Sequence, residues 1–188
     1  WSKKKEKAIK QAYDHAAEIL DIESRRAKSS SLSLRVSDED FNKFNSYFPY
    51  NETKDQLLAI DEIRKDLALV KPMNRLICGD VGFGKTEVSM RAAFISVYSG
   101  KQVVVLCPST ILANQHLESF TDRFKEFPIN VSLLNRHISL KNRKELLIKY
   151  NSKEIDILIC THAIFNQKID YSQTGLLVVD EEHRFGMK

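Results

Sequence analysis

A glycine-rich stretch that ends in a lysine and a threonine carries the strongest chemical signal in this sequence. It reads Gly79-Asp80-Val81-Gly82-Phe83-Gly84-Lys85-Thr86 and fits the pattern of a glycine, four residues, a glycine, a lysine and a serine or threonine. Such loops wrap successive backbone N–H groups around a phosphate, and their glycines adopt turns that a Cβ would block. We therefore expect the stretch to bind a nucleotide, with Lys85 reaching the β- and γ-phosphates and the Thr86 hydroxyl ligating Mg²⁺. The alternative is a plain glycine turn, which has no use for a lysine and a threonine at these two positions.

Two adjacent acids, Asp180 and Glu181, follow the apolar run at residues 176–179. At the end of a strand, Asp180 can hold the Mg²⁺ that bridges the β- and γ-phosphates, usually through water. Glu181 can orient and polarise the water that attacks the γ-phosphate. Glu182 and His183 complete a four-residue motif, in which His183 either couples the nucleotide site to a neighbouring surface or simply packs. Taken alone, the motif also fits a solvated acidic turn.

The segments that must position these residues alternate between strand-like and helix-like patterns. The predicted strands are residues 75–78, 102–107, 130–134, 155–160 and 176–179, and the predicted helices after residue 50 are residues 53–69, 86–94, 108–125 and 140–150. This alternation predicts an α/β fold with a parallel sheet and helices on both of its faces. Because ligands bind beyond the carboxyl ends of parallel strands, we expect the glycine-rich loop and the paired acids to lie at one edge.

Hydroxyl-bearing and basic side chains follow the other predicted strands at the same edge. Ser109 and Thr110 follow the second strand, Arg136 follows the third, and Thr161 and His162 follow the fourth. Hydroxyls and helix-start N–H groups suit contacts to a nucleic-acid backbone without base readout. We therefore expect these five residues to contact DNA, although Thr110 fits equally well as a helix cap.

The chain before the sheet divides into three parts. Residues 1–28 contain no glycine or proline and predict one helix with an apolar stripe. The stripe comprises Ile9, Tyr13, Ala16 and Leu20. Residues 29–47 predict a serine-rich linker with a short helix capped by Ser37, and residues 48–188 predict the main lobe. Lysines crowd the start of the first helix, where they form a solvated face or meet an acidic partner or nucleic acid.

An aromatic and a glutamine just upstream of the glycine-rich loop are candidates for contact with a base. Thr53 is suited to cap a helix, and Gln56 lies one turn into that helix, after Phe48. The two faces of a glutamine amide can read an adenine edge. A surface glutamine with no ligand is the alternative.

Composition limits the class of protein. The 188 residues are 43% hydrophobic and 29% charged, and the net charge of +4 permits a nucleic-acid partner without requiring one. The sequence contains no apolar run of membrane-spanning length and no signal-peptide pattern, so we expect no membrane partner and a cytoplasmic location. Three separated cysteines, Cys78, Cys107 and Cys160, each end an apolar run, which predicts buried free thiols.

Five segments taken together resemble the early motifs of superfamily 2 helicase-like translocases. They are residues 48–56, 79–86, 108–116, 160–165 and 180–186. The amino-acid sequences of three of these motifs most resemble those of the bacterial transcription-repair-coupling factor family. The three are Gly-Asp-Val-Gly-Phe-Gly-Lys-Thr-Glu-Val, Thr-Ile-Leu-Ala-x-Gln-His and Asp-Glu-Glu-His-Arg-Phe-Gly. Branch-migrating helicases that remodel stalled forks are the nearest alternative, but Phe83 and Glu182 favour the coupling factors. The sequence departs from the family pattern at Asn74, Asn135, His137 and Cys160, which leaves a non-catalytic interaction module as a third possibility.

The resemblance implies a RecA-like P-loop fold, incomplete at the C-terminus, that forms the first lobe of an ATP- and Mg²⁺-dependent translocase on double-stranded DNA. It implies that the parent protein displaces RNA polymerase stalled at a lesion, through a module upstream of this segment, and recruits the excision-repair damage-recognition protein. It also implies that a strand following Lys188 inserts beside the strand that ends in Asp180. Without that strand we expect a gap in the sheet, and without the second lobe we expect poor ATP hydrolysis by the segment alone.

Overall fold

The computed structural model describes residues 2–80 and 82–181. Its elements begin, in chain order, with α1 (Ser2–Lys28), α2 (Asp38–Ser46), α3 (Lys54–Leu67), α4 (Lys85–Tyr98), β1 (Gln102–Leu106), α5 (Thr110–Phe124) and β2 (Val131–Leu134). They are followed by α6 (Leu140–Asn151), β3 (Ile157–Cys160), a short 3₁₀ helix (His162–Asn166) and β4 (Thr174–Val179). The order of strands and helices is the predicted one with two differences: the described residues lack the strand predicted at residues 75–78, and they contain a 3₁₀ helix that the sequence pattern did not indicate.

The four strands form one parallel sheet in the order β2-β3-β1-β4, which confirms the predicted α/β architecture. Side chains alternate across it, so Val103 and Val105 of β1 join one buried cluster while Val104 and Leu106 join another. The first cluster includes side chains from α3, α4 and α5, and the second includes Tyr150 of α6. Helices therefore cover both faces, as expected.

The strand predicted at residues 75–78, just before the glycine-rich loop, is wrong for this structure. Residues 72–80 form no strand, and Leu76 is 73% exposed. Strand β4 borders the other side of the expected gap. It lies at the edge of the described sheet, and its Leu177 and Val179 side chains are exposed. An extended segment becomes a strand only when a neighbour pairs with its backbone, and none of the described residues pairs with this one.

The three cysteines differ in their environment, and only Cys78 lies beside the gap. Cys107 and Cys160 are buried as predicted, and burial raises the pKa of each thiol to about 12. Cys78, which precedes the loop, is exposed, so its predicted burial is wrong.

Helix α2 packs against α4 instead of standing apart from the main lobe. Ser37 caps this helix by accepting a hydrogen bond from the backbone N–H of Asp40, as predicted. Phe44 is fully buried, and its ring stacks on Phe94 of α4 with centroids 4.2 Å apart. The boundaries at residues 28 and 47 stay a prediction, and we propose that the folding unit of the sheet begins before α2.

Helix α1 has the predicted extent, but its apolar stripe is not covered by other described residues. Ile9, Tyr13 and Leu20 are 46%, 74% and 70% exposed. One contact joins this helix to the segment before the loop, where the Asn74 side-chain amide donates to Glu23. Among residues 2–80 and 82–181, no helix combines the length and the apolar character needed to cross a membrane.

Candidate functional site

The glycine-rich loop leads directly into the N-terminus of α4. Gly84 is the residue before the helix and adopts a left-handed conformation, with φ of 72°. It provides no side-chain cap, so the first N–H groups of α4 are left to other partners. Gly82 also has a positive φ, of 86°. A bare helix start preceded by a glycine turn is suited to bind an anion.

Lys85 lies folded back onto its own loop. Its Nζ atom donates to the backbone carbonyls of Gly79 and Asp80, the second at 2.8 Å. These contacts keep the ammonium group beside the loop, where a phosphate would replace the carbonyls as its partner. Thr86 follows on the first turn and is half-buried, Phe83 is 60% exposed, and Val81 lies outside the described residues.

Gln56 connects α3 to the loop. Its Oε1 atom accepts from the backbone N–H of Thr53 at 2.8 Å, which forms the capping box of α3, and its Nε2 atom donates to the carbonyl of Phe83 at 2.8 Å. A Cβ on Gly84 would lie 2.3 Å from this Nε2 atom, so another residue there would displace the Gln56 amide and would also be strained by the positive φ of 72°. The amide positions the loop in this structure, and its predicted contact with adenine stays a prediction.

A buried network of four charged residues lies beneath this segment. Glu87, on the first turn of α4, accepts from Arg91 at 2.8 Å and from two nitrogens of Arg123 at 2.8 and 3.0 Å. Arg91 also pairs with Glu52 at 2.5 Å, and this hydrogen bond holds the pKa of Glu52 below its usual value. The Arg91 guanidinium lies 5.3 Å from the ring of Phe48, which places the predicted base-contacting aromatic against the network.

Sequence reasoning missed this network. The spacing of Glu87 and Arg91 by one helical turn was a visible signal, but such pairs are usually exposed. Arg123 lies on a different helix, and no local pattern indicated that it would reach the same carboxylate.

Removing Glu87 is expected to destabilise the lobe. Glu87→Ala leaves two guanidinium groups buried without their shared carboxylate, and losing one partner of a buried ion pair costs about 3–5 kcal/mol. Hydrogen exchange of the α4 amides in the full-length protein measures the effect. Glu145→Ala, which breaks the exposed one-turn pair with Lys149, is the matched control and is expected to cost about 0.5 kcal/mol. Equal protection of α4 in both variants would contradict the prediction.

Asp180 follows β4 at the carboxyl edge of the sheet. Its backbone N–H donates to the carbonyl of Leu106 at 2.9 Å, and its Oδ2 atom lies 2.7 Å from Nε2 of His116 on α5. The hydrogen bond with His116 is the main cause that lowers the pKa of Asp180, and the positive charge of Lys85 adds to it. The two predicted motifs are therefore close enough to interact electrostatically.

Thr86 and Asp180 line one open cleft of about 450 Å³. The other lining residues all come from α5: Leu112, Gln115, His116, Glu118 and Ser119. A hydroxyl and a carboxylate are hard oxygen donors of the kind that Mg²⁺ prefers. In the described part of the chain no group of three or more His, Cys, Asp or Glu side chains could hold a metal by itself. This donor set fits a Mg²⁺ ion held jointly with phosphate oxygens and water.

Glu181 is half-buried and adopts a left-handed backbone conformation with φ of 49°. A non-glycine residue held there costs on the order of 1 kcal/mol and persists where the surroundings impose it. Its backbone N–H contributes to the lowered pKa of the Asp180 carboxyl group. Glu182 and His183 lie outside the described residues, so their predicted roles stay predictions.

The residues predicted to contact DNA lie along the same carboxyl edge. The last residues of the strands are in register, with Cys160 beside both Leu134 and Leu106, and Leu106 beside Val179. Segments that follow these strands therefore leave the sheet side by side, and they carry the predicted contacts Ser109, Thr110, Arg136, Thr161 and His162.

The five predicted DNA contacts lie in different local environments. The Ser109 hydroxyl caps α5 by accepting from Leu112, so Ser109 is the cap and Thr110 is the first helical residue. Thr161 caps the 3₁₀ helix and is buried. Arg136 and His162 are exposed, and His162 packs edge-on against Phe165. Contact of these residues with DNA stays a prediction.

Comparison with known proteins places this geometry in a family. The family model described as DEAD/DEAH box helicase matches residues 53–188, which include the loop, the cleft and the paired acids. The chain belongs to this helicase family. Membership gives it the ATP-dependent helicase or translocase class, and agrees with the resemblance found in the sequence.

Curated relatives within the helicase family are transcription-repair-coupling factors. The chain is 45% identical to the factor from Haemophilus influenzae over 187 residues, 43% identical to that from Escherichia coli over 188, and 42% identical to that from Bacillus subtilis over 187. In each comparison the match covers 100% of this chain and 16% of the relative, so the chain spans about a sixth of the length of these proteins. The likeness to coupling factors expected from the motifs is confirmed.

Solved helicase structures share the fold. The structure of RecG bound to a three-way DNA junction matches with a TM-score of 0.81 and 33% identity, over 88% of this chain and 23% of that one. A hypothetical ATP-dependent RNA helicase from Sulfolobus tokodaii matches with a TM-score of 0.60 and 18% identity, over 78% of this chain and 42% of that one. Sequence identity is higher to the coupling factors than to RecG, which favours the coupling-factor interpretation.

Proposed function

We propose that this chain is the first motor lobe of an ATP-driven translocase on double-stranded DNA. The parent protein would displace RNA polymerase stalled at lesions and recruit the excision-repair damage-recognition protein. The observation that carries the proposal is the shared cleft of Thr86 and Asp180, with Lys85 close enough to lower the pKa of that carboxyl group. A glycine turn that binds no ligand would not explain why Thr86 and Asp180, from distant parts of the chain, line the same cleft.

Within this proposal the predicted site residues have separate tasks in ATP hydrolysis. Residues 79–86 bind the phosphates through loop N–H groups and the start of α4, and Lys85 neutralises charge on the β- and γ-phosphates. Thr86 and Asp180 hold Mg²⁺, which supplies electrostatic stabilisation of the phosphate charge when bound. Glu181 orients the attacking water, and Phe48 and Gln56 contact the base.

The carboxyl edge beyond the cleft is proposed to meet the DNA backbone through Ser109, Thr110, Arg136, Thr161 and His162. Helix-start N–H groups and hydroxyls suit phosphates, and such contacts do not depend on sequence. We propose that a module upstream of residue 1 contacts RNA polymerase. We also propose that the protein acts in the cytoplasm. We expect the isolated lobe to bind nucleotide weakly and to hydrolyse it poorly without an arginine from a second lobe.

The test is ATP hydrolysis by the full-length protein with and without duplex DNA, together with release of a stalled RNA polymerase from its template. The proposal expects duplex DNA to stimulate hydrolysis and ATP to be required for release. Stimulation by branched DNA alone, without polymerase release, would favour fork remodelling, for which the likeness to RecG is the supporting observation. Nucleotide binding without turnover on any DNA would favour a non-catalytic module.

A further inference from the structure

His116 makes a direct contact with the predicted metal carboxylate. It lies in the middle of α5, its side chain is 12% exposed, and its Nε2 atom is 2.7 Å from Oδ2 of Asp180. The two residues are 64 positions apart in the chain, and both line the cleft that contains Thr86. Phe120, one turn further along α5, packs edge-on against the imidazole with ring centroids 6.1 Å apart.

We propose that His116 is a positioning residue for Asp180, so that α5 aims this carboxylate toward Mg²⁺. The inference rests on the proposed function, because it assumes that Asp180 meets the metal. The Asp180 carboxylate is then held by the imidazole, which lies within hydrogen-bond distance of its Oδ2 atom.

Two features of the contact support positioning over chance packing. A carboxylate that follows the end of a strand rotates about its χ angles unless a neighbouring group holds it. The imidazole of His116 is nearly buried and lies on a packed helix, so it can fix the carboxylate in one orientation. A hydrogen bond at Oδ2 leaves Oδ1 available for a metal or a metal-bound water. Outer-shell partners of this kind orient ligands, and their loss typically costs 10–100-fold in metal affinity or activity.

The proposal also gives α5 a role that its sequence does not suggest. The same helix begins with the Ser109 cap at the predicted DNA-facing edge and ends near Arg123, which binds Glu87 beside Thr86. His116 lies between these two contacts. Helix α5 would therefore hold both the metal carboxylate and the helix that follows the phosphate loop.

The experiment is a Mg²⁺ titration of nucleotide binding in the full-length protein, followed with a fluorescent ATP analogue. His116→Leu removes the donor and keeps the bulk, whereas His116→Gln supplies an N–H in place of Nε2. Ser119→Ala, which lines the same cleft one turn away on α5, is the control. Affinity in EDTA is measured for every variant, because it reports the phosphate loop without the metal.

We expect His116→Leu to raise the Mg²⁺ concentration for half-maximal binding about tenfold or more, with affinity in EDTA within about twofold of the parent. His116→Gln is expected to restore most of the Mg²⁺ response, and Ser119→Ala to match the parent. If the leucine variant proves unstable, His116→Asn replaces it, since its shorter amide does not reach the position of Nε2.

Two results would overturn the inference. One is an unchanged Mg²⁺ response in His116→Leu when the parent binds Mg²⁺ and nucleotide normally. The other is an equal loss of binding with and without Mg²⁺ that glutamine does not rescue, which would indicate a structural role. Failure of the proposed function looks different, because the parent itself would then show no Mg²⁺-dependent nucleotide binding.

Discussion

Replacing Lys85 with alanine is expected to reduce ATP hydrolysis by the full-length protein by about 100-fold or more, the usual loss when a preorganised charge or donor is removed from a transition state. The ammonium group is the positive charge that the loop itself brings to the phosphates. The loss is expected in both nucleotide affinity and turnover, since the charge attracts the ground-state phosphates and stabilises the charge that develops during transfer.

Folding should be little affected by the same change. The described hydrogen bonds of the Lys85 ammonium group are to exposed backbone carbonyls of Gly79 and Asp80, which water can satisfy when the side chain is removed. Lys149→Ala on α6, where the lysine is exposed and paired with Glu145, is the matched control and should retain hydrolysis. A rate in Lys85→Ala equal to that of the parent would show that the loop is a structural turn.

Glu181→Gln is expected to lower the turnover number by about 10²–10⁴-fold while nucleotide binding persists. Glutamine keeps the size of the side chain and loses the negative charge that polarises the attacking water. The left-handed backbone at this position, with φ of 49°, strains glutamate and glutamine to the same extent. The substitution therefore reports the role of the carboxylate in hydrolysis and not a change in backbone strain. Single-turnover hydrolysis and equilibrium binding of an ATP analogue separate the two effects.

Glu118→Gln is the control for this second change. Glu118 is exposed, lines the same cleft from α5 and has no proposed part in hydrolysis, so its neutralisation reports any general effect of charge in the cleft. Equal turnover in Glu181→Gln and the parent would favour the non-catalytic module. A comparable loss in both glutamine variants would assign the effect to the electrostatic field of the cleft and not to a catalytic carboxylate.

The chemistry of the site could be predicted from the sequence because the motifs are local. Gly79 to Thr86 lie within eight residues of one another, and Asp180 and Glu181 are adjacent, so residue type and spacing alone indicate phosphate and metal binding. The caps at Ser37 and Thr53 were equally predictable, because each depends on a side chain within three residues of the N–H group that it accepts from.

The partners of these motifs could not be predicted in the same way. His116 meets Asp180, and Arg123 meets Glu87, only because α5 packs on β2 and β3, on the face of the sheet that α4 also covers. The periodicity of α5 identifies it as a helix but does not specify which residues of other elements its polar side chains will contact.

The sequence by itself determined the order of strands and helices, the parallel sheet and the residues available for phosphate and metal, because each depends on periodicity or on close spacing along the chain. The tertiary structure decided which distant side chains converge on that site, and whether residues 75–78 form a strand. Both outcomes depend on contacts between segments far apart in sequence. Strand pairing and the burial of a charged side chain depend on which other segments lie nearby in space. The residue pattern of one segment does not specify those neighbours.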